Sequence, residues 1–305
     1  MWRSILLFKF DERTTVTTTR VFIKRHAVQA YFALTFALSW GGFLLVGGSG
    51  LLAGTSWQAD PRFMAAVSAM LAGPPVAGIL LTVLVSGKAG FRELISRLLK
   101  WRVGGLWYTV ALLTAPIIQT TVLLVLSRIS QVFLPAIVTT DDKAALLVSG
   151  IAIGLAGGFV EELGWTGFPI PRLTARYGVL GTGLIVGPAW GAWHLLQMWW
   201  VGGTSSEALP LAVFLPLFFL SAVAILTAYR VLMVWVYDRT GSLLVAVLMH
   251  ASYIFSTLFV LAPPTTGVPF LTYSGVFAVA LWVVVAAVAM ASGGQLSRQP
   301  LRRVA

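Results

Sequence analysis

The chain has 305 residues, 58% of them hydrophobic and 10% charged, with a net charge of +11 and no cysteine. Its mean hydropathy is +0.89. A soluble domain usually carries about 25% charged residues, so a soluble globular fold is excluded. The missing cysteines exclude a disulfide framework, a thiol nucleophile and thiolate zinc sites.

Residues 1–26 are polar and basic, with Arg3, Lys9, Arg13, Arg20, Lys24, Arg25 and His26. They read as a cytoplasmic tail, not a cleavable signal, because the apolar run after them is long enough to stay in the membrane. Eight apolar segments follow, at approximately 28–48, 63–86, 106–126, 144–163, 179–200, 208–229, 243–262 and 270–291. Each is near the roughly 20 residues needed to cross a bilayer. Phe91 to Trp101 alternates Arg92, Arg97 and Lys100 with Leu94, Ile95, Leu98 and Leu99 and reads as an interfacial helix. The fourth segment is the least regular, since Gly154, Gly157 and Gly158 loosen it and Glu161 and Glu162 end it. The pattern predicts an all-α membrane protein: one polytopic domain over 1–305, a bundle of about eight transmembrane helices, both termini cytoplasmic. With that topology, all of the 21 Lys and Arg except Arg62, Arg128 and Lys143 fall on the cytoplasmic side, as the positive-inside rule requires. The charge therefore reads as orientation and attraction to the lipid bilayer, and no nucleic-acid partner is expected.

Only four ionisable side chains are expected at membrane depth: Glu161, Glu162, His194 and His250. Buried charge is costly there and marks function. Alone, each has a plain structural reading. A histidine in an apolar helix is commonly a packing residue, a Glu-Glu pair at a helix end is commonly solvated, and Trp190, Trp193, Trp199 and Trp200 read as interfacial belt and packing. Together they are all of catalytic type, with no Lys or Arg expected beside them. Adjacent helical residues point about 100° apart, so the two glutamates are expected to hold different roles. The three positions Glu161, His194 and His250 are expected to converge in one cavity open to the cytoplasmic side.

Phe159-Val-Glu161-Glu162-Leu-Gly164-Trp165-Thr166-Gly167-Phe168, with Pro171-Arg172-Leu173 after it, resembles the first motif of the CAAX protease and bacteriocin-processing family. These proteins, also called Abi, are intramembrane glutamate-type, or metallo-, endopeptidases. Trp190 and His194 resemble its second motif, an aromatic residue four before a histidine. His250, after Tyr237-Asp238-Arg239-Thr240-Gly241-Ser242-Leu243, resembles its third, with residues 144–262 as the catalytic core. Tyr31 to Trp40, Ala72-Gly73-Pro74 and Arg97 to Tyr108 are similar to the family's early helices.

The resemblance implies that Glu161 and His194 bind and activate a water, with Glu161 as general base. It further implies that Glu162 orients the site and that His250 donates to the developing oxyanion. Arginine far outnumbers lysine, and Ala, Gly and Val are abundant, a composition that points to a bacterial cell membrane and to a peptide or membrane-protein substrate; the oligomeric state stays open. A divalent metal such as zinc is compatible with two His and a Glu, although no His-Glu-x-x-His helix is present. Two positions depart from the family pattern: Thr166 stands where it has Arg, and Ile254 where it has Asn. Tyr253 and Thr257 share the His250 face as candidate substitutes. The departures keep two other readings in view, a degenerate homologue that binds a peptide or partner without cutting it, and a proton-coupled transporter.

Overall fold

The computed structural model describes residues 21, 23–52, 60–202, 209–294 and 296–297. The basic tail read at 1–26 lies outside the described residues except for 21 and 23–26. In chain order the helices are α1 (Ala27–Leu52), α2 (Arg62–Leu71), α3 (Gly73–Leu98), α4 (Gly105–Ile129), the short α5 (Ala136–Thr139), α6 (Lys143–Trp165), α7 (Pro169–Trp193), α8 (Leu195–Gly202), α9 (Leu211–Thr240), α10 (Leu243–Ile254) and α11 (Gly267–Ala291). A π-helical segment, Phe255–Val260, extends α10. No strand occurs among the described residues. Among the described residues seven helical stretches are long and apolar enough to cross a membrane, α2 with α3 and α10 with its π segment each counting as one, and the chain is a multi-pass, all-α membrane protein.

Three segments differ from the sequence expectation. The fifth expected span, 179–200, is divided. Gly178 takes φ +66° at its start, and His194 sits between α7 and α8. Only glycine adopts that φ without strain, so the piece after it is shorter than a full crossing. The sixth span was expected to end at residue 229, but α9 runs to Thr240. It stops only where Gly241 adopts a left-handed C-cap whose N–H donates to Tyr237 O at 2.7 Å. The third difference is in α6, where the glycines tighten packing instead of loosening the helix. A Cβ at Gly154 would come 2.7 Å from Ala251 O, and one at Gly158 would come 2.8 Å from Val247 O. The small residues thus let α6 lie directly against α10, as small-residue stripes do in membranes.

One face of the bundle gathers the basic connections. Ser242 Oγ donates to Lys100 O at 2.6 Å, and Arg97 donates to Tyr237 Oη at 2.8 Å and to Gly167 O at 3.2 Å. Arg239 reaches Leu296 O at 3.3 Å, and Val179 N donates to Ser297 Oγ at 2.8 Å. On the opposite face, Ala136 N donates to Ala262 O at 3.0 Å. The loops that the topology assigns to one side therefore do meet on one side. Many large apolar side chains, such as Leu45, Leu106 and Ile129, are exposed on the bundle's surface, where a lipid environment accepts them.

Candidate active site

The site forms where α6, α7, α9 and α10 meet. The end of α6 is inside the protein: Glu161, Glu162, Gly164, Trp165, Thr166, Gly167 and Phe168 are all buried. The glutamates therefore sit in the bundle and not at its headgroup edge. Tyr31 stacks on Phe168, and Trp165 meets Trp193 edge-on, closing the space around that turn.

Glu162 is fully buried and accepts three hydrogen bonds. His250 Nδ1 lies 2.8 Å from its Oε1, Arg230 Nη1 lies 2.8 Å from its Oε2, and Thr166 Oγ1 donates to that same Oε2. A carboxylate surrounded by donors and a guanidinium satisfies the rule that buried charge must be paired. Glu161, 4% exposed, accepts from Trp190 Nε1 at 2.8 Å through Oε2. Its Oε1 lies 4.0 Å from His250 Nε2, too far for a direct hydrogen bond and a spacing at which a bridging water is the natural question. His250 thus stands between the two glutamates, so both face a histidine. The 100° offset places them on different nitrogens of one ring.

His194, at the α7–α8 junction, holds Nδ1 2.8 Å from Trp190 O. A carbonyl only accepts, so Nδ1 carries the proton and Nε2 is free to accept. Its ring meets that of Trp190 edge-on at 5.7 Å, and Trp190 also bonds Glu161 and meets His250. All four sequence-predicted residues are thereby brought together from three segments of the chain.

Two functional contacts escaped the sequence reading. Arg230, placed there in a cytoplasmic loop, is fully buried in α9 as the counter-ion of Glu162. The expectation of only four buried ionisable groups, with no Arg beside them, is corrected accordingly. The available signal was that the apolar run resumes from Val231 to Tyr237, with no Gly or Pro after Arg230 until Gly241. Trp190 and Trp193 are buried and do not form a belt; Trp200 is buried too, while Trp199 is partly exposed. Trp190 organises the centre. It donates to Glu161, its carbonyl holds His194, its ring meets His250 edge-on at 5.1 Å, and the Arg230 guanidinium lies 3.9 Å over it. A glycine stripe in α7 makes this possible, since a Cβ at Gly187 would press on the Thr227 backbone of α9.

A cavity of about 560 Å³ adjoins the site, with His194, Tyr253 and Thr257 in its wall. It runs among α8–α11 toward Pro263 and Thr266, the face opposite the basic connections. Of the three residues expected to share a cavity, His194 lines this one, while Glu161 and His250 lie behind it. Ile254 packs toward α6, where its Cδ1 would lie 2.9 Å from a Cβ at Gly157, one turn before Glu161.

Among the described residues no group of three or more His, Asp or Glu is arranged to hold a metal ion. The donors explain this: Glu162 is saturated by three partners, and Glu161 is turned toward Trp190. No step below passes through a metal.

The chain is thus a helical membrane bundle with two carboxylates and two histidines gathered around Trp190 at its centre. Residues 143–256 match the family model described as type II CAAX prenyl endopeptidase Rce1-like, in agreement with the motif resemblance. The matched segment contains Glu161, Glu162, Trp190, His194, Arg230 and His250. The match supports a membrane protease. No curated protein matches the chain.

Proposed function

We propose that the chain is an intramembrane endopeptidase that hydrolyses a peptide bond in a membrane-associated peptide or protein. The observation that carries the reading is the chain of contacts Arg230–Glu162–His250, with Glu161 4.0 Å beyond, at a point enclosed by protein. Groups of this type are expensive to bury and here are held in mutual register.

In this reading a water sits between Glu161 Oε1, His194 Nε2 and the substrate carbonyl. Glu161 removes its proton as the oxygen attacks, a contribution on the order of 10²–10⁴-fold, and later returns that proton to the leaving amine. Trp190 fixes Oε2 so that Oε1 is the basic atom. Glu162 holds His250 through Nδ1, so that the imidazolium form points Nε2–H at the developing oxyanion. That form also balances the cluster, two carboxylates against one guanidinium and one imidazolium. Arg230 supplies Glu162 with the guanidinium that the family draws from the position of Thr166. Thr166 itself adds its hydroxyl to the same carboxylate.

The location consistent with these features is a bacterial cell membrane, with the basic face cytoplasmic. The test is cleavage of a membrane-tethered peptide library in proteoliposomes by wild type and by Glu161→Ala. Cleavage by wild type alone supports the reading. Equal product from both proteins would refute it. Peptide binding with no cleavage by wild type would favour the binding-only homologue.

A further inference from the structure

The end of α3 and its connection to α4 have two faces. The inner face ties together the three elements that carry the site. Arg97 donates to Gly167 O at 3.2 Å, in the turn whose Gly167 N–H returns to Glu162 O at 2.9 Å. It also donates to Tyr237 Oη at 2.8 Å, two turns along α9 from Arg230. Lys100 O accepts from Ser242 Oγ at 2.6 Å. That same hydroxyl caps Val245 N at 3.2 Å, at the start of the helix that carries His250. The Lys100 ammonium lies 3.2 Å from where a Cβ would stand at Gly241, at the C-terminus of α9, where a cation is favoured.

The outer face is aromatic, apolar and positive. Leu99, Trp101 and Leu106 are 67%, 61% and 69% exposed. Arg92, Lys100 and Arg102 are exposed on the same segment, and the Arg102 guanidinium lies 5.0 Å over the Trp101 ring. Between residues 88 and 108 the only carboxylate is Glu93, which faces Arg97 at 3.7 Å. None of the ion pairs among the described residues includes Arg92, Lys100 or Arg102. The connection holds its own shape, since Val103 N and Tyr108 Oη both donate to Trp101 O, at 2.9 and 2.5 Å.

We propose that this outer face binds the headgroups of anionic phospholipids, and that the bound lipid steadies the three elements held by the inner face. A lipid phosphate supplies the negative charge that the three cations lack. Each cation near an anionic surface concentrates it on the order of fivefold. The glycerol and acyl chains lie against Leu99, Trp101 and Leu106, the arrangement that interfacial segments with basic and aromatic side chains favour. A soluble phosphate would engage the cations and leave those three side chains unused. The lipid site stands apart from the hydrolase reading; the effect on activity rests on it.

The absence of native cysteine lets one fluorophore report on the segment. The full chain with Leu99→Cys carries a bimane in vesicles of phosphatidylcholine and phosphatidylglycerol. Brominated phosphatidylglycerol should quench it about threefold more per mole than brominated phosphatidylcholine. Arg92→Gln with Arg102→Gln should bring that ratio close to one. Arg128→Gln with Lys143→Gln, which removes two exposed cations elsewhere, should leave it. Salt at about 0.5 M should lower the ratio without any substitution, since it screens exposed charge. Equal quenching by the two lipids, a ratio indifferent to salt, or a ratio that survives the loss of Arg92 and Arg102 overturns the site. Inorganic phosphate added at constant ionic strength should change nothing; collapse of the ratio would assign the cations to soluble phosphate and overturn the lipid. The effect on activity is read as kcat/KM on an uncharged tethered peptide. It should be about threefold higher with phosphatidylglycerol than without, and indifferent to it in Arg92→Gln with Arg102→Gln. Equal rates in both lipids overturn the coupling. Failure of the hydrolase reading shows separately, as equal product from wild type and Glu161→Gln. The quenching ratio decides the lipid site even then.

Discussion

Replacing Arg230 with methionine keeps much of the volume of the side chain and removes its charge. The structure sets the magnitude. Arg230 and Glu162 are both fully buried and meet at 2.8 Å. Removing one partner of such a pair costs about 3–5 kcal/mol, because an uncompensated charge remains. Glu162 would retain two of its three donors, Thr166 and His250, so the lower end, about 3 kcal/mol, is expected. The catalytic effect is separate. Glu162 holds His250, and a misplacement of about 1 Å in such a group can cost on the order of 10²-fold. Two assays on protein purified in detergent and reconstituted in liposomes read the two effects: thermal unfolding, and kcat/KM on a cleavable tethered peptide. Arg230→Lys should recover stability only in part. A lysine delivers a point charge but does not also stack its head flat over Trp190 as the guanidinium does, 3.9 Å from the ring centroid. The exchange Arg230→Thr with Thr166→Arg returns a guanidinium from the family's position and should restore activity above that of Arg230→Met. An Arg230→Met protein with wild-type unfolding and wild-type kcat/KM would refute the reasoning, since a buried counter-ion cannot be lost without consequence.

Glu161→Gln should abolish cleavage, a fall of about 10²–10⁴-fold in kcat, whereas Glu162→Gln should slow it and lower the unfolding temperature through the stranded Arg230; equal and complete loss of rate with no change in stability would contradict the division of roles. Trp190→Phe removes the Nε1–H donor of Glu161 while keeping an aromatic ring. A lost hydrogen bond to a charged group is worth roughly 1.5–3 kcal/mol, so kcat/KM should fall about 10–100-fold. Ile254→Asn should raise kcat, by up to about 3 kcal/mol of barrier where the amide reaches the oxyanion, with little change in KM. If Tyr253→Phe or Thr257→Val slows cleavage while Ile254→Asn does nothing, one of those hydroxyls already serves.

The bundle was legible because apolar runs and the placement of Lys and Arg are local signals. The candidate set was legible because Glu161, Glu162, His194 and His250 are costly at membrane depth wherever they occur. Arg230 was not. It interrupts an apolar stretch and reads as its boundary, yet the stretch resumes from Val231 to Tyr237 with no Gly or Pro before Gly241, which argues that the helix continues. The depth of Glu161 was obscured for a related reason. An acidic pair at the end of an apolar segment reads as the membrane surface, yet residues 164–170 bury the turn behind it. That burial also resolves how Glu161 meets Trp190, many residues along α7 from the basic face. The glycines of α6 carried a message that only packing reveals. A residue without a side chain looks like looseness in a sequence and acts as contact in a bundle, since Val247 O and Ala251 O occupy the space a Cβ would need.

The two departures from the family pattern have different physical weights. At Thr166 the missing group is a charge, and charge is a property of the enclosed volume more than of the chain position. Any guanidinium that reaches Glu162 neutralises it, and α9 supplies one at 2.8 Å from a helix far away in sequence. At Ile254 the missing group is a directed donor, and direction depends on position. Its helix turn faces Gly157, one turn from Glu161, and an apolar side chain there gives an oxyanion nothing. Tyr253 and Thr257 lie in the cavity wall beside His194, but Thr257 spends its proton on Tyr253 O and the Tyr253 hydroxyl has Thr257 as its side-chain partner. The site therefore has a compensated charge and an uncompensated direction. Its transition-state stabilisation should rest on His250 to a greater degree than where an Asn shares the load, so removing His250 should cost this protein more than removing any other single donor.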